Sequence, residues 1–242
     1  MKIGTIVEGP TDRLLLKAVV DEICHGEHEY LDLQPADLGD SFGERGSGWK
    51  GVRRFCFDIC QQLSESVSDF IIDFQLDLLI IHIDADVALE EDLQEGAASI
   101  AKELLQPCPP ITLTTMSLEE VVTKWLNLEH ASQLPSQVIL AIPAQDSENW
   151  VFAALFPEDE LCQRHDFECI HASTEHQHPA YLLTLANYGR ILRRKDGKIR
   201  KSRSSYRQVL PQVVDAWDKV CSICFQAQTF NNRLTEINDT FR

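Results

Sequence analysis

The sequence has no run of eighteen consecutive apolar residues, and a short apolar run begins directly after Lys2. A membrane-spanning helix needs about twenty apolar residues, so no span is expected. A chain that enters a strand at its start has no signal peptide. We therefore expect a cytoplasmic protein with no membrane partner.

Basic residues are scarce, with 22 Lys and Arg against 38 Asp and Glu and a net charge of −16. Binding to nucleic-acid phosphates depends on Lys and Arg, so this charge is unfavourable for it. Nine of the 22 basic residues, however, lie in the basic segment Arg190–Arg207. A solubilising loop remains an alternative for this segment. The candidate nucleic-acid-binding residues are Arg193, Arg194, Lys198 and Arg203.

The eight cysteines are scattered along a chain of 242 residues, which is long enough for a hydrophobic core without disulfide support. This pattern favours reduced, partly buried thiols over a disulfide framework. A polar stretch could bind zinc, but its spacing matches no finger pattern, so ordinary loop residues are the preferred interpretation. The residues concerned are Cys162, His165, Cys169, His171, His176 and His178.

Three short runs of branched apolar residues each end in acidic residues. Such runs are typical of strands that are buried on both faces of a parallel sheet. Because the carboxyl ends of parallel strands share one edge, neighbouring strands would bring these acids together. The runs are Ile3–Val7 before Glu8, Leu78–Ile83 before Asp84 and Asp86, and Val138–Ile142 before Asp146 and Glu148.

Strand-like and helix-like segments alternate, which predicts an α/β fold with a mainly parallel, doubly wound sheet flanked by helices. We expect residues 1–157 to form this core, with an insertion at about 107–136. Residues 158–242 would add a polar loop, the basic segment and a helical C-terminal extension that packs on the core. The expected helices are Arg13–Ile23, Val52–Ile72, Glu91–Leu105, Ser117–Leu128, Leu182–Leu192 and Arg207–Gln226.

The acidic motifs resemble those of a known family. Glu8 and the pair Asp84 and Asp86 are similar to the Glu and Asp-x-Asp motif of the TOPRIM domain, the metal-binding module of topoisomerases, primases and OLD-family nucleases. Glu8–Asp12, His82–Asp86 and Ala141–Leu155 resemble the small stand-alone relatives of the OLD nucleases. The resemblance covers about Lys2–Phe156 and implies a TOPRIM-like sheet.

Clustered carboxylates indicate one or two hard divalent ions with oxygen ligands, Mg²⁺ or Mn²⁺. The expected metal ligands are Glu8, Asp12, Asp84, Asp86 and Glu148. The resemblance implies cleavage of nucleic-acid phosphodiester bonds, in DNA rather than RNA, by Glu8, Asp84, Asp86 and a C-terminal lysine. Lys201 is the first candidate for that lysine and Lys198 the second.

The resemblance also implies a subunit of an anti-phage defence assembly. OLD nucleases usually carry an ATPase domain, which this sequence does not show. Either a separate subunit would supply the ATPase, or proteins of this kind would work without one. Gly43–Lys50 falls short of a phosphate-binding P-loop, because Trp49 stands where glycine must precede Lys50. This stretch is more typical of a loop that brings Arg45 and Lys50 close to a substrate. A plain flexible linker is the other interpretation.

Two other functions remain open from the sequence. A non-catalytic TOPRIM-like scaffold or binding subunit would suit the acidic charge and the missing ATPase domain. A phosphohydrolase of small nucleotides would use the same acids and tolerate a negative surface better than DNA binding does. The complete set of acids favours an enzyme over the scaffold.

Overall fold

A four-stranded, all-parallel sheet lies at the centre of the protein, in a computed structural model that describes residues 1–35, 46–93, 108–170 and 176–240. Its strand order is β2-β1-β3-β4, so β1 pairs with β3 and β3 with β4. The predicted α/β class and the three neighbouring buried strands are therefore confirmed. The strands are β1 (Lys2–Ile6), β2 (Glu29–Gln34), β3 (Leu78–His82) and β4 (Val138–Ala141).

The three central strands end at nearly the same level. The last residue of β1, Ile6, pairs with Ile81, and the last residue of β3, His82, pairs with Ala141 of β4. The residues that follow these strands therefore leave the sheet side by side at one edge. This register is what places the acidic motifs within reach of one another.

Helices cover both faces of the sheet, as the unbroken apolar strands require. Side chains of β3 alternate: Leu78 and Ile80 belong to the hydrophobic cluster on one face, and Leu79 and Ile81 to the cluster on the other. The first face packs against α1 (Pro10–Ile23) and the C-terminal helices. The second packs against α2 (Gly48–Asp58), α3 (Val67–Asp73) and α4 (Ile111–Trp125).

The expected single helix Val52–Ile72 is wrong, because the chain forms two helices there. After α2 a π-helical turn follows at Ile59–Leu63, and α3 begins only at Val67. The Ser66 side chain accepts a hydrogen bond from Asp69 N at 3.1 Å, which caps the new helix. Serine at this position favours a helix start over a helix interior.

The expected start of a helix at Ser117 is also wrong, since α4 begins at Ile111. Ser117 lies inside α4, and its Oγ donates to Leu113 O at 2.7 Å. A serine inside a helix commonly makes this bond to the carbonyl four residues earlier. Most of the predicted helix Glu91–Leu105 lies outside the described residues.

The C-terminal part also differs from expectation. The predicted helix Leu182–Leu192 is wrong. Within the basic segment, Arg193–Arg200 form an antiparallel hairpin rather than a loop, and Arg203 and Arg207 lie in a helix. Asp196 and Gly197 both have positive φ, 52° and 73°, as a two-residue hairpin turn requires. This Asp-Gly pair is the signal that the sequence analysis missed. The elements are α5 (Glu148–Leu155), α6 (Pro179–Leu182), β5 (Arg193–Lys195), β6 (Lys198–Arg200), α7 (Arg203–Asp215), α8 (Trp217–Ile223) and α9 (Phe225–Thr240).

The C-terminal helices pack on the core through aromatic contacts to α5. Trp150 is fully buried, and its ring centroid lies 5.7 Å from that of Trp217 in α8 and 6.1 Å from that of Phe230 in α9. Helix α7 in turn packs against α1 and α5. The extension therefore shares a hydrophobic core with the sheet and helps to position the sheet edge.

Cys108 and Cys169 form a disulfide, while six other cysteines are free. The expectation that all eight are thiols is therefore wrong for this pair, which joins the segment before α4 to a loop after α5. Spacing could not reveal the pair, because 61 positions separate the two residues. Bonded in this way, Cys169 is no thiolate ligand for zinc. No helix among the described residues is long and apolar enough to cross a membrane.

Ile80→Ala should test the central position of β3. Ile80 is fully buried in the cluster shared with α1, so its loss should lower the free energy of unfolding by about 2–5 kcal/mol. Urea denaturation measures the change. Ile72→Ala is the matched control, since Ile72 is 70% exposed and its loss should change stability by no more than about 0.5 kcal/mol. Equal effects at the two positions would contradict the burial pattern.

Candidate metal centre

The strand ends and α1 bring six acidic side chains to one edge of the sheet. Hydrogen bonds connect the contributing segments. The backbone N–H of Asp84 donates to Glu8 Oε1 at 2.7 Å, that of Ser147 to Asp84 Oδ1 at 3.2 Å, and Ser147 Oγ to Asp12 Oδ1 at 2.8 Å. This acidic cluster consists of Glu8 after β1, Asp12 in α1, Asp84 and Asp86 after β3, and Asp146 and Glu148 after β4.

One group within the acidic cluster has the spacing of a metal site. Ligand atoms of Asp12, His82 and Asp84 all lie within 4.8 Å of one another. Hard divalent ions bind their ligands at about 2.0–2.6 Å, so a single ion could contact all three side chains. His82 was not among the predicted ligands. It is the last residue of β3 and is fully buried.

Lys201 enters the acidic cluster from the C-terminal extension. It follows the hairpin strand β6, and its Nζ lies 2.7 Å from Glu148 Oε2 and 3.5 Å from Asp12 Oδ1. Its side chain is 31% exposed, whereas those of Glu148 and Asp12 are 1% and 4% exposed, so Lys201 is the most accessible of the three. The structure places Lys201 at the acids, whereas Lys198 is exposed in the hairpin.

Tyr206 of α7 contacts the acidic cluster, and sequence reasoning missed this residue. It is fully buried, and its hydroxyl donates to Glu148 Oε1. Lys201 and Tyr206 thus hold the two oxygens of Glu148, the first by charge and the second by a hydrogen bond. No sequence motif marks Tyr206, because its role depends on how the C-terminal extension packs.

Ser147, which stands at the N-cap position of α5, does not cap the helix. Ser147 precedes α5, but its side chain makes no capping hydrogen bond and donates to Asp12 instead. Asp146 is buried, and His178 Nε2 lies 3.3 Å from its Oδ2. Ser147 therefore contacts one acid of the cluster, Asp12, and His178 contacts another, Asp146.

Burial and mutual repulsion oppose ionisation of the acids. Burial, followed by the charge of Asp84, raises the pKa of Glu8 well above its ordinary value. Burial likewise raises the pKa of Glu148, although the nearby ammonium of Lys201 opposes this shift. For Asp12 burial acts in the same direction, but Lys201 and His82 together lower its pKa. Such a site gains from an added cation.

His82 is the other positive group available to the cluster. Burial alone would lower the pKa of His82, but Asp84, Asp12 and Glu8 raise it to about 9. Its Nε2 lies 3.2 Å from Asp84 Oδ1, at ion-pair distance but without the geometry of a hydrogen bond. Sequence reasoning could have found His82, because residues two apart at a strand end point to the same side.

The remaining predicted residues lie on the surface. Asp86 is exposed, although partial removal from water and repulsion from Asp84 raise its pKa. Arg194 lies over the ring of Tyr181, with 5.6 Å between its guanidinium carbon and the ring centroid. Also exposed are Arg193 and Lys198 in the hairpin and Arg203 at the start of α7. Of the stretch Gly43–Lys50, residues 43–45 lie outside the described residues. The expected loop is wrong from Gly48 onward, because α2 begins there, and Lys50 pairs with Asp92.

Comparison of the chain with protein-family models, with curated proteins and with solved structures found no match. The resemblance to TOPRIM domains therefore stays a prediction. The arrangement itself is a set of carboxylates, an imidazole and an ammonium group at the carboxyl edge of a parallel sheet.

The raised pKa of His82 predicts a pH-dependent stability of the metal-free chain. A histidine with a higher pKa in the folded state stabilises the fold fully below its unfolded pKa of about 6.5, and this contribution is lost as the pH rises through about 9. Thermal melts in chelator should therefore show a loss on the order of 3 kcal/mol across this range. His82→Asn should flatten the profile, whereas His25→Asn, at an exposed position, should not. Parallel wild-type and His82→Asn profiles would disprove the assignment.

Proposed function

We propose that this chain is a divalent-metal-dependent nuclease that cleaves phosphodiester bonds in DNA. The observation that carries the proposal is the convergence of the acidic cluster with Lys201 at one sheet edge. Three consecutive strand ends supply acids, and the spacing of Asp12, His82 and Asp84 suits one ion. Phosphoryl transfer relies on such charge placement, because its transition state carries charge on several oxygens.

The metal we propose is Mg²⁺ or Mn²⁺, held by Asp12 and Asp84, with Glu8, Asp86 and Glu148 beside it. When bound, such an ion orients a phosphate and activates water for attack. The half-buried, hydrogen-bonded Glu8 keeps the loop after β3 in place through Asp84 N. Asp86 is exposed, so an ion bound beside its carboxylate would be open to a substrate from solvent.

Lys201 supplies the positive charge of the proposed site. Its ammonium group is held between Glu148 and Asp12, while part of its side chain remains open to solvent. In this position it can approach a phosphate oxygen and offset its negative charge. Tyr206 fixes Glu148 and through it the lysine, so Tyr206 is a positioning residue.

The hairpin β5–β6 supports nucleic acid as the substrate. It ends at Arg200, so the element that presents the exposed basic residues also delivers Lys201 to the acids. A phosphate backbone held by the hairpin would lie next to the acidic cluster. The strongly acidic remainder of the chain would repel DNA, which confines binding to this surface. An ATPase subunit supplied in trans and a role in anti-phage defence are further proposals that rest on the resemblance alone.

Asp84→Asn is the sharpest test of the proposed activity. Asparagine keeps an oxygen that can accept from Ser147 N but removes the charge, so the fold should persist while the metal site weakens. We expect plasmid nicking in Mn²⁺ or Mg²⁺ to fall at least about 100-fold, an effect typical of losing a charged group that acts on the transition state.

The control for this variant is Asp77→Asn, which changes the same charge at the start of β3, where Asp77 Oδ2 accepts from Lys2 N. It should keep wild-type nicking. Wild-type protein that shows neither nicking nor metal-dependent thermal stabilisation would instead support a non-catalytic scaffold. Hydrolysis of small nucleotides without nicking would point to a phosphohydrolase.

The hairpin should carry the electrostatic part of DNA binding. Arg193, Lys195 and Lys198 are exposed, and replacing all three with alanine should weaken binding. Each phosphate contact contributes about 0.9 to the slope of log affinity against log salt, so the slope should fall by up to about three. Fluorescence anisotropy of a labelled duplex at several salt concentrations measures this change.

Its matched control carries the same change in net charge elsewhere. Lys124, Lys219 and Arg233 belong to α4, α8 and α9, and their replacement with alanine should leave the slope unchanged. If the two triple variants lose the same slope, binding depends on overall charge and the hairpin has no special role.

A further inference from the structure

We infer that the centre of the acidic cluster binds a transition-metal ion of mixed nitrogen and oxygen coordination, with Mn²⁺ preferred over Mg²⁺, and that His82 is its nitrogen ligand. The inference rests on the proposed metal-dependent function and narrows it by naming the class of ion. It concerns the three side chains of Asp12, His82 and Asp84.

The burial of His82 is the first observation. Its side chain has no accessible surface, and neither ring nitrogen makes a hydrogen bond of good geometry among the described residues, although Nε2 lies at ion-pair distance from Asp84. Leaving a buried polar group unsatisfied costs about 1–3 kcal/mol. An imidazole that only filled core space could be replaced by an apolar side chain, so a polar partner in addition to Asp84 would explain why a histidine stands here.

The direction of the ring is the second observation. His82 Nε2 lies 3.2 Å from Asp84 Oδ1, on the side of β3 that also faces Asp12. Two ligands of one ion at about 2.0–2.3 Å are commonly separated by about 3 Å, which is this distance. The unsatisfied nitrogen is therefore directed at the carboxylates and not at the hydrophobic core.

The chemistry of the ligand set decides which ion it favours. Mg²⁺ binds oxygen almost exclusively and retains several waters, whereas imidazole suits Mn²⁺ less strongly than Zn²⁺ or Fe²⁺ but better than it suits Mg²⁺. Two carboxylates and one imidazole thus favour first-row transition ions over Mg²⁺. We choose Mn²⁺ as the probe because its electron spin reports directly on a bound nitrogen.

Pulsed electron paramagnetic resonance on wild-type protein loaded with Mn²⁺ tests the inference without any mutation. We expect a ¹⁴N hyperfine coupling, and protein labelled with ¹⁵N-histidine should replace it with a ¹⁵N coupling. Calorimetric titration should show Mn²⁺ binding at least about tenfold tighter than Mg²⁺. Bound Mn²⁺ without any histidine nitrogen coupling would overturn the inference.

His82→Asn assigns the coupling to one residue. It should abolish the nitrogen signal and weaken Mn²⁺ binding at least about tenfold, since even changes behind the first ligands cost about 10–100-fold. His178→Asn is the matched control, because His178 is also buried and also lies against an acid, Asp146. That variant should keep the signal, and its loss there would overturn the assignment to His82.

The outcomes separate this inference from the proposed nuclease. Histidine-coordinated Mn²⁺ in a protein that cleaves no DNA supports the site and contradicts the nuclease. Metal-dependent cleavage without histidine coupling contradicts the site as described and leaves the nuclease standing. If His82→Asn fails to fold by circular dichroism, the isotope experiment on wild-type protein still decides the question.

Discussion

Repulsion among carboxylates at one sheet edge is the constraint on which the rest of this structure depends. Parallel pairing in level register brings the ends of β1, β3 and β4 together, and each end carries an acid. Packed without cations, these groups would oppose folding or take up protons, as the raised pKa values of Glu8 and Glu148 indicate. The positive groups around them are therefore part of the fold as much as of the site.

The C-terminal extension supplies part of that compensation. Lys201 and Tyr206 contact the two oxygens of Glu148. Both residues belong to the C-terminal extension, whose helix α7 packs on α1 and α5. The aromatic contacts of Trp150 fix the same extension to the residues just after Glu148. Packing and electrostatics thus depend on each other: the site is complete only if the helices dock.

The sequence predicted what local periodicity and strand ends determine. The apolar runs that end in acids identified three strands and predicted that these strands are neighbours in the sheet. They also identified the acids that meet at its edge, among them Glu8, Asp84 and Glu148. Interactions that depend on tertiary packing could not be predicted from the sequence. Examples are the contact of Tyr206 with Glu148 and the disulfide between Cys108 and Cys169. The hairpin was missed for a different reason. Its Asp196-Gly197 turn is a local signal, but the surrounding basic residues are typical of a solvated loop and favoured that interpretation.

His82 shows how a fold can tune one strand end for chemistry. Every other side chain of β3 is apolar and belongs to one of the two hydrophobic clusters, yet the last residue is a histidine whose ring nitrogens make no hydrogen bond within the described part of the chain. A protonated ring offsets part of the charge of Asp84 and Asp12, but that role alone would require only some cation and not an imidazole. The combination of a buried imidazole with Asp12 and Asp84 is explained when the cation is a metal ion that binds nitrogen as well as oxygen.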